Sequence, residues 1–183
     1  MIKPETHPFE ALIGIWSGDK GIDISPEPDG TETSPYYETI TFTPTSNVDN
    51  ADVQELFVIQ YHQVVRRKST GNIFHDQSGY WMWEEKEKML IHSFTIPRGL
   101  NVLAKGEMKN ENGVLTMEVS ADSENKNYGI TESIFMEKNA HTKSFRQKFI
   151  IENGTLTYSQ TTSLDIYGRE FEHTDDNVLI LQK

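Results

Sequence analysis

The chain contains no cysteine, which excludes disulfide staples, thiolate nucleophiles and thiolate metal ligands and is compatible with a reducing compartment. No run of about 18 apolar residues occurs, so a membrane-crossing helix has no support. The N-terminus, Met1-Ile2-Lys3-Pro4-Glu5-Thr6-His7, lacks the apolar stretch of a secretory signal, and a cytoplasmic protein is expected. Basic residues are few: 17 Lys and Arg stand against 28 Asp and Glu, a formal net charge of −11. Such a field repels phosphate backbones and anionic lipid, so neither nucleic acid nor a membrane surface is expected as a partner. The one basic cluster, Arg66-Arg67-Lys68, precedes Ser69-Thr70-Gly71-Asn72 and reads as the solvated tip of a hairpin. Common catalytic signatures are missing too: there is no Gly-x-Ser-x-Gly elbow, no P-loop, no Gly-x-Gly-x-x-Gly and no His-Glu-x-x-His.

What is present is β-structure. The 183 residues give room for one domain, residues 1–183, since two cores would leave each half small for its surface. Asn112-Gly113 and Asn153-Gly154 each sit between β-prone runs, as a tight type I′ hairpin requires, because both central residues of that turn need positive φ. Alternation supports the flanking strands: Leu115, Met117 and Val119 share one face, as do Phe145, Gln147, Phe149 and Ile151. Further strands are expected over Trp16–Ile24, Tyr37–Phe42, Val53–Val65, Phe74–Trp83, Lys88–Phe94, Asn101–Lys109, Gly129–Glu137, Thr155–Ile166 and Asn177–Leu181. Ser25–Ser34 and Thr43–Asp52 read as loops, and only Pro8–Ile13 looks helical, for a turn or two. About ten strands and no helix long enough to cover a sheet define an all-β chain, either a two-sheet sandwich or a closed barrel. Periodicity does not separate these two.

The candidate chemistry rests on six histidines together with tyrosines and carboxylates. On alternation, His75 shares a face with Gln77, Gly79, Trp81 and Trp83, opposite Phe74, Asp76, Ser78, Tyr80 and Met82. An imidazole on such a face either lines a pocket or is a core residue satisfied by a hydrogen bond. His62 reads as a surface residue, and His92 is open to either reading. In Phe171-Glu172-His173-Thr174-Asp175-Asp176-Asn177, a carboxylate beside His173 can orient its ring as carboxylates do for metal-ligating histidines. The competing reading of that segment is a polar turn entering the last strand.

Several motifs resemble one family. Leu12-Ile13-Gly14-Ile15-Trp16-Ser17-Gly18 is similar to the Gly-x-Trp-x-Gly opening of the nitrobindin family, the haem-binding β-barrels related to fatty-acid-binding proteins and also found at the C-terminus of some THAP-domain proteins. Tyr61-His62-Gln63 and Phe74-His75-Asp76-Gln77-Ser78-Gly79-Tyr80-Trp81 are similar to that family's Tyr-x-Gln and hydrophobic-His-x-Glu-Ser-Gly-Tyr-Trp. Thr95-Ile96-Pro97-Arg98-Gly99 falls where the family has a Thr-Gly turn, with Gly106 after it. The resemblance implies a ten-stranded antiparallel closed barrel of the calycin or lipocalin type with a short N-terminal helical turn. It also implies ferric haem in the barrel mouth, held by one histidine near the C-terminus, with nitric oxide binding and peroxynitrite isomerisation as the associated activities.

Carried over by residue, His75 matches the histidine on the distal side of the haem, Tyr61, Gln63 and Thr95 belong to the cofactor-binding motifs, and His173 is the candidate axial ligand. Aligning the final leucines places an Asp near the ligand position and His173 about two residues early. Two alternatives stand beside haem binding. One is a haem-free carrier of a fatty-acid-like or aromatic molecule; the other is a cofactor-free enzyme using His75, Tyr80 or Arg146 inside the barrel. A homodimer is left open.

Overall fold

The structure, a computed structural model, describes residues 7–45 and 54–182. Its strands are β1 (Gly14–Glu27), β2 (Gly30–Pro44), β3 (Leu56–Arg67), β4 (Ile73–Glu84), β5 (Met89–Ile96), β6 (Leu100–Glu111), β7 (Val114–Asp122), β8 (Ile130–Glu132), β9 (Ala140–Glu152), β10 (Thr155–Ile166) and β11 (Arg169–Leu181). Neighbouring strands pair antiparallel throughout. Ten of the eleven close on themselves in the order β1-β2-β3-β4-β5-β6-β7-β9-β10-β11, with β1 against β11 and β5 against β6. Short β8 extends the edge of β6 at Leu100–Val102, beyond where β7 pairs. The fold is therefore a closed barrel, the arrangement that leaves fewest exposed edges. Among the described residues no helix is long and apolar enough to cross a membrane.

Three local expectations are corrected. Ser25–Ser34 is no loop: β1 and β2 pair out to Glu27↔Gly30 around a two-residue turn at Pro28-Asp29. In Gly129–Glu137 only Ile130–Glu132 is strand; Ser133 Oγ then accepts from the Met136 N–H and caps the single helical turn α1, Ile134–Asn139. The polar segment 171–177 is not a turn but the interior of β11, and the turn lies earlier, at Tyr167-Gly168. Both residues there have positive φ, 56° and 74°, as do Asn112-Gly113 and Asn153-Gly154, so the two expected hairpins are joined by a third that carries no Asn. The expected start of the third strand at Val53, and residues 46–52 of the expected loop, lie outside the described residues. Helical structure at Pro8–Ile13 is a 3₁₀ turn, Glu10–Leu12.

One end of the barrel is closed. The fully buried Phe9 and Leu12 plug it, and the Trp16 indole N–H donates to the Leu12 carbonyl at 2.7 Å, tying the plug to β1. Above the plug, every second residue of the surrounding strands turns inward, giving an apolar core that includes Phe42, Ile59, Trp81, Leu90, Leu115, Met117, Leu156 and Leu179. Gly106 lets β6 and β7 approach: a Cβ there would lie 1.7 Å from the Glu118 carbonyl oxygen.

Strand parity changes towards the other end. In β1 the register shifts between Gly18 and Gly21, so Trp16 points inward but so do Asp23 and Ser25, while Ile22 and Ile24 face out. A shift between Ser163 and Leu164 on β10 skips Lys143 on β9 and turns Thr142 inward beyond Phe145. Each bulge adds one residue and so reverses which side chains face the core. They bring Asp23, Ser25 and Thr142 into the open end, where His173 and Asp175 arrive on the unbroken parity of β11.

Candidate functional site

The open end holds a cavity of about 270 Å³. One side is apolar: Phe94 and Ile96 from β5, Leu100 and Val102 from β6, and Phe145 from β9, with Met136 of α1 at the rim. The facing side is polar and comes from β1, β10 and β11, with His75 from β4 beside it. There Asp23 and Asp175 are direct cross-strand partners, Asp175 is opposite Gln160, and Gln160 is opposite Gln147. Their side chains follow the register. Gln147 Nε2 donates to Gln160 Oε1 at 2.8 Å, and Gln160 Nε2 reaches Asp175 Oδ2 at 3.4 Å.

His173 lies two residues before Asp175 on the same inward face of β11. Its Nε2 is 2.6 Å from Asp23 Oδ1 and 3.8 Å from Asp175 Oδ2. Burial works against a charge on His173, but the Asp23 hydrogen bond and the nearby Asp175 outweigh it and raise the imidazole pKa. Burial likewise acts against ionising Asp23, and its hydrogen bonds, first that from His173, outweigh it and hold the carboxyl below the ordinary value. For Asp175 burial wins: it pushes the carboxyl up to about 7 against the opposing pull of His173, with Asp23 adding to the rise. Asp23 and His173 thus form a tight hydrogen-bonded pair, with Asp175 the second carboxyl beside it.

The floor of the cavity is a second polar cluster. Glu38 is buried and accepts from Gln63 Nε2 at 2.6 Å, Asn177 Nδ2 at 2.6 Å and the Tyr158 hydroxyl at 3.0 Å, while Tyr158 meets the Tyr36 hydroxyl at 2.8 Å. Burial raises the Glu38 carboxyl to about 7 despite these donors. Tyr36 fits beneath β1 because Gly21 carries no side chain; a Cβ there would sit 2.0 Å from the Tyr36 ring. On the apolar side one polar atom stands apart: Thr142 Oγ1 is buried, its residue lines the cavity, and it has no hydrogen-bond partner among the described residues.

The residues singled out by sequence divide. His173, His75 and Gln63 line the cavity. Tyr61 lies deeper, its hydroxyl 2.8 Å from His92 Nε2 and accepting from Gln77 Nε2. His92 is a core residue, stacked on Trp81 at 3.8 Å and pushed down to about 3 by burial. Thr95 faces outward and donates to the Leu100 carbonyl at 3.3 Å, away from the cavity. Tyr80 and Arg146 are also exposed on the outside, so the constellation of His75, Tyr80 and Arg146 inside the barrel does not exist. His62 is on the surface, as expected, against Asp76 at 3.1 Å. Arg67 departs from the solvated tip expected of it: it lies over the Phe74 ring, bonds Glu32 and Ser34, and lines the mouth. Asp23, Tyr36, Glu38 and Thr142 were not among the candidate site residues, whereas Asp175 is one of the carboxylates the sequence offers to orient His173. For Asp23 and Thr142 the bulges hide the parity that would have found them.

A closed antiparallel barrel with a plugged end and an amphipathic cavity at the other defines a small-molecule-binding barrel. The model of the THAP4-like, heme-binding β-barrel domain matches residues 5–180, and the chain belongs to that family. The crystal structure of Rv2717c from M. tuberculosis is similar over 100% of both chains, with a TM-score of 0.73 at 17% identity, a likeness of fold. No curated protein matches.

The family description implies haem, whose iron needs an axial donor with a free lone pair and whose ring needs an apolar slot. Phe94, Leu100, Val102 and Phe145 supply part of a slot, and His173 faces it. The donor does not fit. His173 Nε2 is held by Asp23 at 2.6 Å, and binding to a haem iron would take the imidazole away from that carboxylate. Asp175 adds a second carboxyl at 3.8 Å. The cavity, about 270 Å³, lies below the range of roughly 300–1,000 Å³ that accommodates drug-sized ligands, and haem is larger than most of these.

Proposed function

We propose that the barrel is a haem-free binding protein for a small, partly apolar molecule. The apolar body lies against Phe94, Leu100, Val102 and Phe145, and the polar end meets the wall formed by Asp175, Gln160 and His173. The observation that carries this reading is the commitment of His173 Nε2 to Asp23 beside an apolar face that nothing in the described residues fills. The unpartnered Thr142 hydroxyl supports it, since a buried polar atom of this kind costs about 1–3 kcal/mol unless water or a guest satisfies it. Family membership supports a ligand at this end of the barrel without fixing which one.

The test uses prodan, a neutral, polarity-sensitive naphthalene dye that the acidic mouth does not repel. A blue shift of its emission that saturates at one dye per barrel, and that is lost in a folded Val102→Trp variant whose indole fills the slot, is the expected result. Emission that does not shift, or that shifts equally in the variant, removes this cavity as the binding site.

A further inference from the structure

We propose that Asp23, His173 and Asp175 form a site for a single divalent transition-metal ion. One ligand atom from each lies within 4.8 Å of the other two. The donor set is one imidazole nitrogen and two carboxylate oxygens. It suits zinc, cobalt, manganese or ferrous iron, and it supplies too few oxygens for calcium, which takes six to eight.

The backbone holds these donors in place. Asp23 and Asp175 are cross-strand partners on β1 and β11, and His173 follows Asp175 at the inward i, i+2 spacing. Metal bonds of about 2.0–2.2 Å put neighbouring ligand atoms roughly 3 Å apart. The Asp23–His173 separation of 2.6 Å must open slightly, and the His173–Asp175 separation of 3.8 Å must close. Both changes are below about an ångström. The ion takes the place of the proton shared by His173 and Asp23.

Two further observations point to an added group. Asp23 and Asp175 are carboxyls set directly opposite each other on adjacent strands, a placement that costs the fold and that a cation relieves. In the same cavity, the buried Thr142 hydroxyl has no partner among the described residues. An ion held on the β1–β11 wall has protein on one side and the cavity on the other, so its remaining coordination positions open towards the apolar slot. Small anionic or carbonyl groups are the chemistry those positions take.

Cobalt(II) is the probe. Titrated into chelator-stripped, tag-free protein, it is expected to give visible d–d bands with a 1:1 end point, displaced by zinc. His173→Ala and Asp175→Asn are each expected to weaken binding by about tenfold or more, whereas His62→Ala, which removes an exposed histidine paired with Asp76, leaves it unchanged. Circular dichroism confirms that each variant is folded, and Asp175→Asn keeps the side-chain shape if His173→Ala does not fold. Absent bands at millimolar cobalt, or bands unchanged in both His173→Ala and Asp175→Asn, overturn the proposal. The prodan experiment contains no metal, so failure of the organic-ligand reading and failure of the metal site are read separately.

Discussion

The two ends of the barrel interior are built on opposite rules. At the plugged end, alternation is unbroken and the inward residues are apolar, from Trp16 and Phe42 to Leu156 and Leu179. At the open end, three register shifts, on β1, β4 and β9, interrupt the alternation, and the inward residues include Asp23, His173, Asp175, Thr142 and, at the floor, Glu38. Burying apolar side chains stabilises a fold, while burying carboxyls opposes it unless each is paired. The comparison teaches that stability resides at the plugged end and that the open end carries groups the fold would do better without. Sites that depart from the local rules in this way are where function is expected.

The largest expected effect tests the plugged end. Trp81→Ala empties a fully buried site against His92 and Phe149, and urea unfolding should show a loss of about 3–5 kcal/mol. His173→Ala at the open end should cost less, about 1–3 kcal/mol, because it leaves the buried Asp23 carboxyl without its partner. Equal losses would erase the distinction between the two ends.

Next in size is a pH dependence from the cavity floor. The Glu38 pKa rises from 4.5 in the unfolded chain to about 7 in the barrel. The folded state therefore holds the Glu38 proton more tightly, and that contribution is present below pH 4.5 and lost as pH rises through 7. Unfolding measured at pH 4.5 and pH 8 should show wild type losing a few kcal/mol more than Glu38→Gln over the interval, because the amide cannot ionise. Parallel pH profiles would place a charge-compensating group at Glu38 that the structure lacks.

The smallest effect has the opposite sign. Asp175→Asn removes one of two opposed carboxyls, and at pH 8 it should raise stability by about 0.2–1 kcal/mol, read as a higher melting temperature. A stabilised barrel that has lost its cobalt bands would show directly that the open end trades stability for binding. A destabilised one would mean that Asp175 is a structural acceptor for Gln160 and nothing more.

How far the sequence could be read follows the same division. Where alternation is unbroken it was legible: Phe145, Gln147, Phe149 and Ile151 face inward as expected, and the two Asn-Gly hairpins are in place. His75 was readable as an inward residue because Phe74–Trp83 keeps one parity, and the same alternation puts Tyr80 outside. Asp23 was not readable, since Ile22 and Ile24 look like the core face until the shift between Gly18 and Gly21 turns them out. The β10–β11 hairpin was hidden for a different reason. Tyr167-Gly168 lacks the Asn or Asp that marks type I′ turns, and a strand whose inward face reads His173, Asp175, Asn177 has no apolar periodicity to find. Closure into a barrel came from the motif resemblance, since period-two patterns serve a sandwich as well.

The most direct test of a haem-free mouth is a ferric haem titration of wild type and His173→Ala, followed in the Soret band. With His173 held by Asp23, the account predicts no saturable Soret shift, or only one of equal size in both proteins. A 1:1 shift in wild type that disappears in His173→Ala would show that the imidazole leaves Asp23 for iron, and would contradict it.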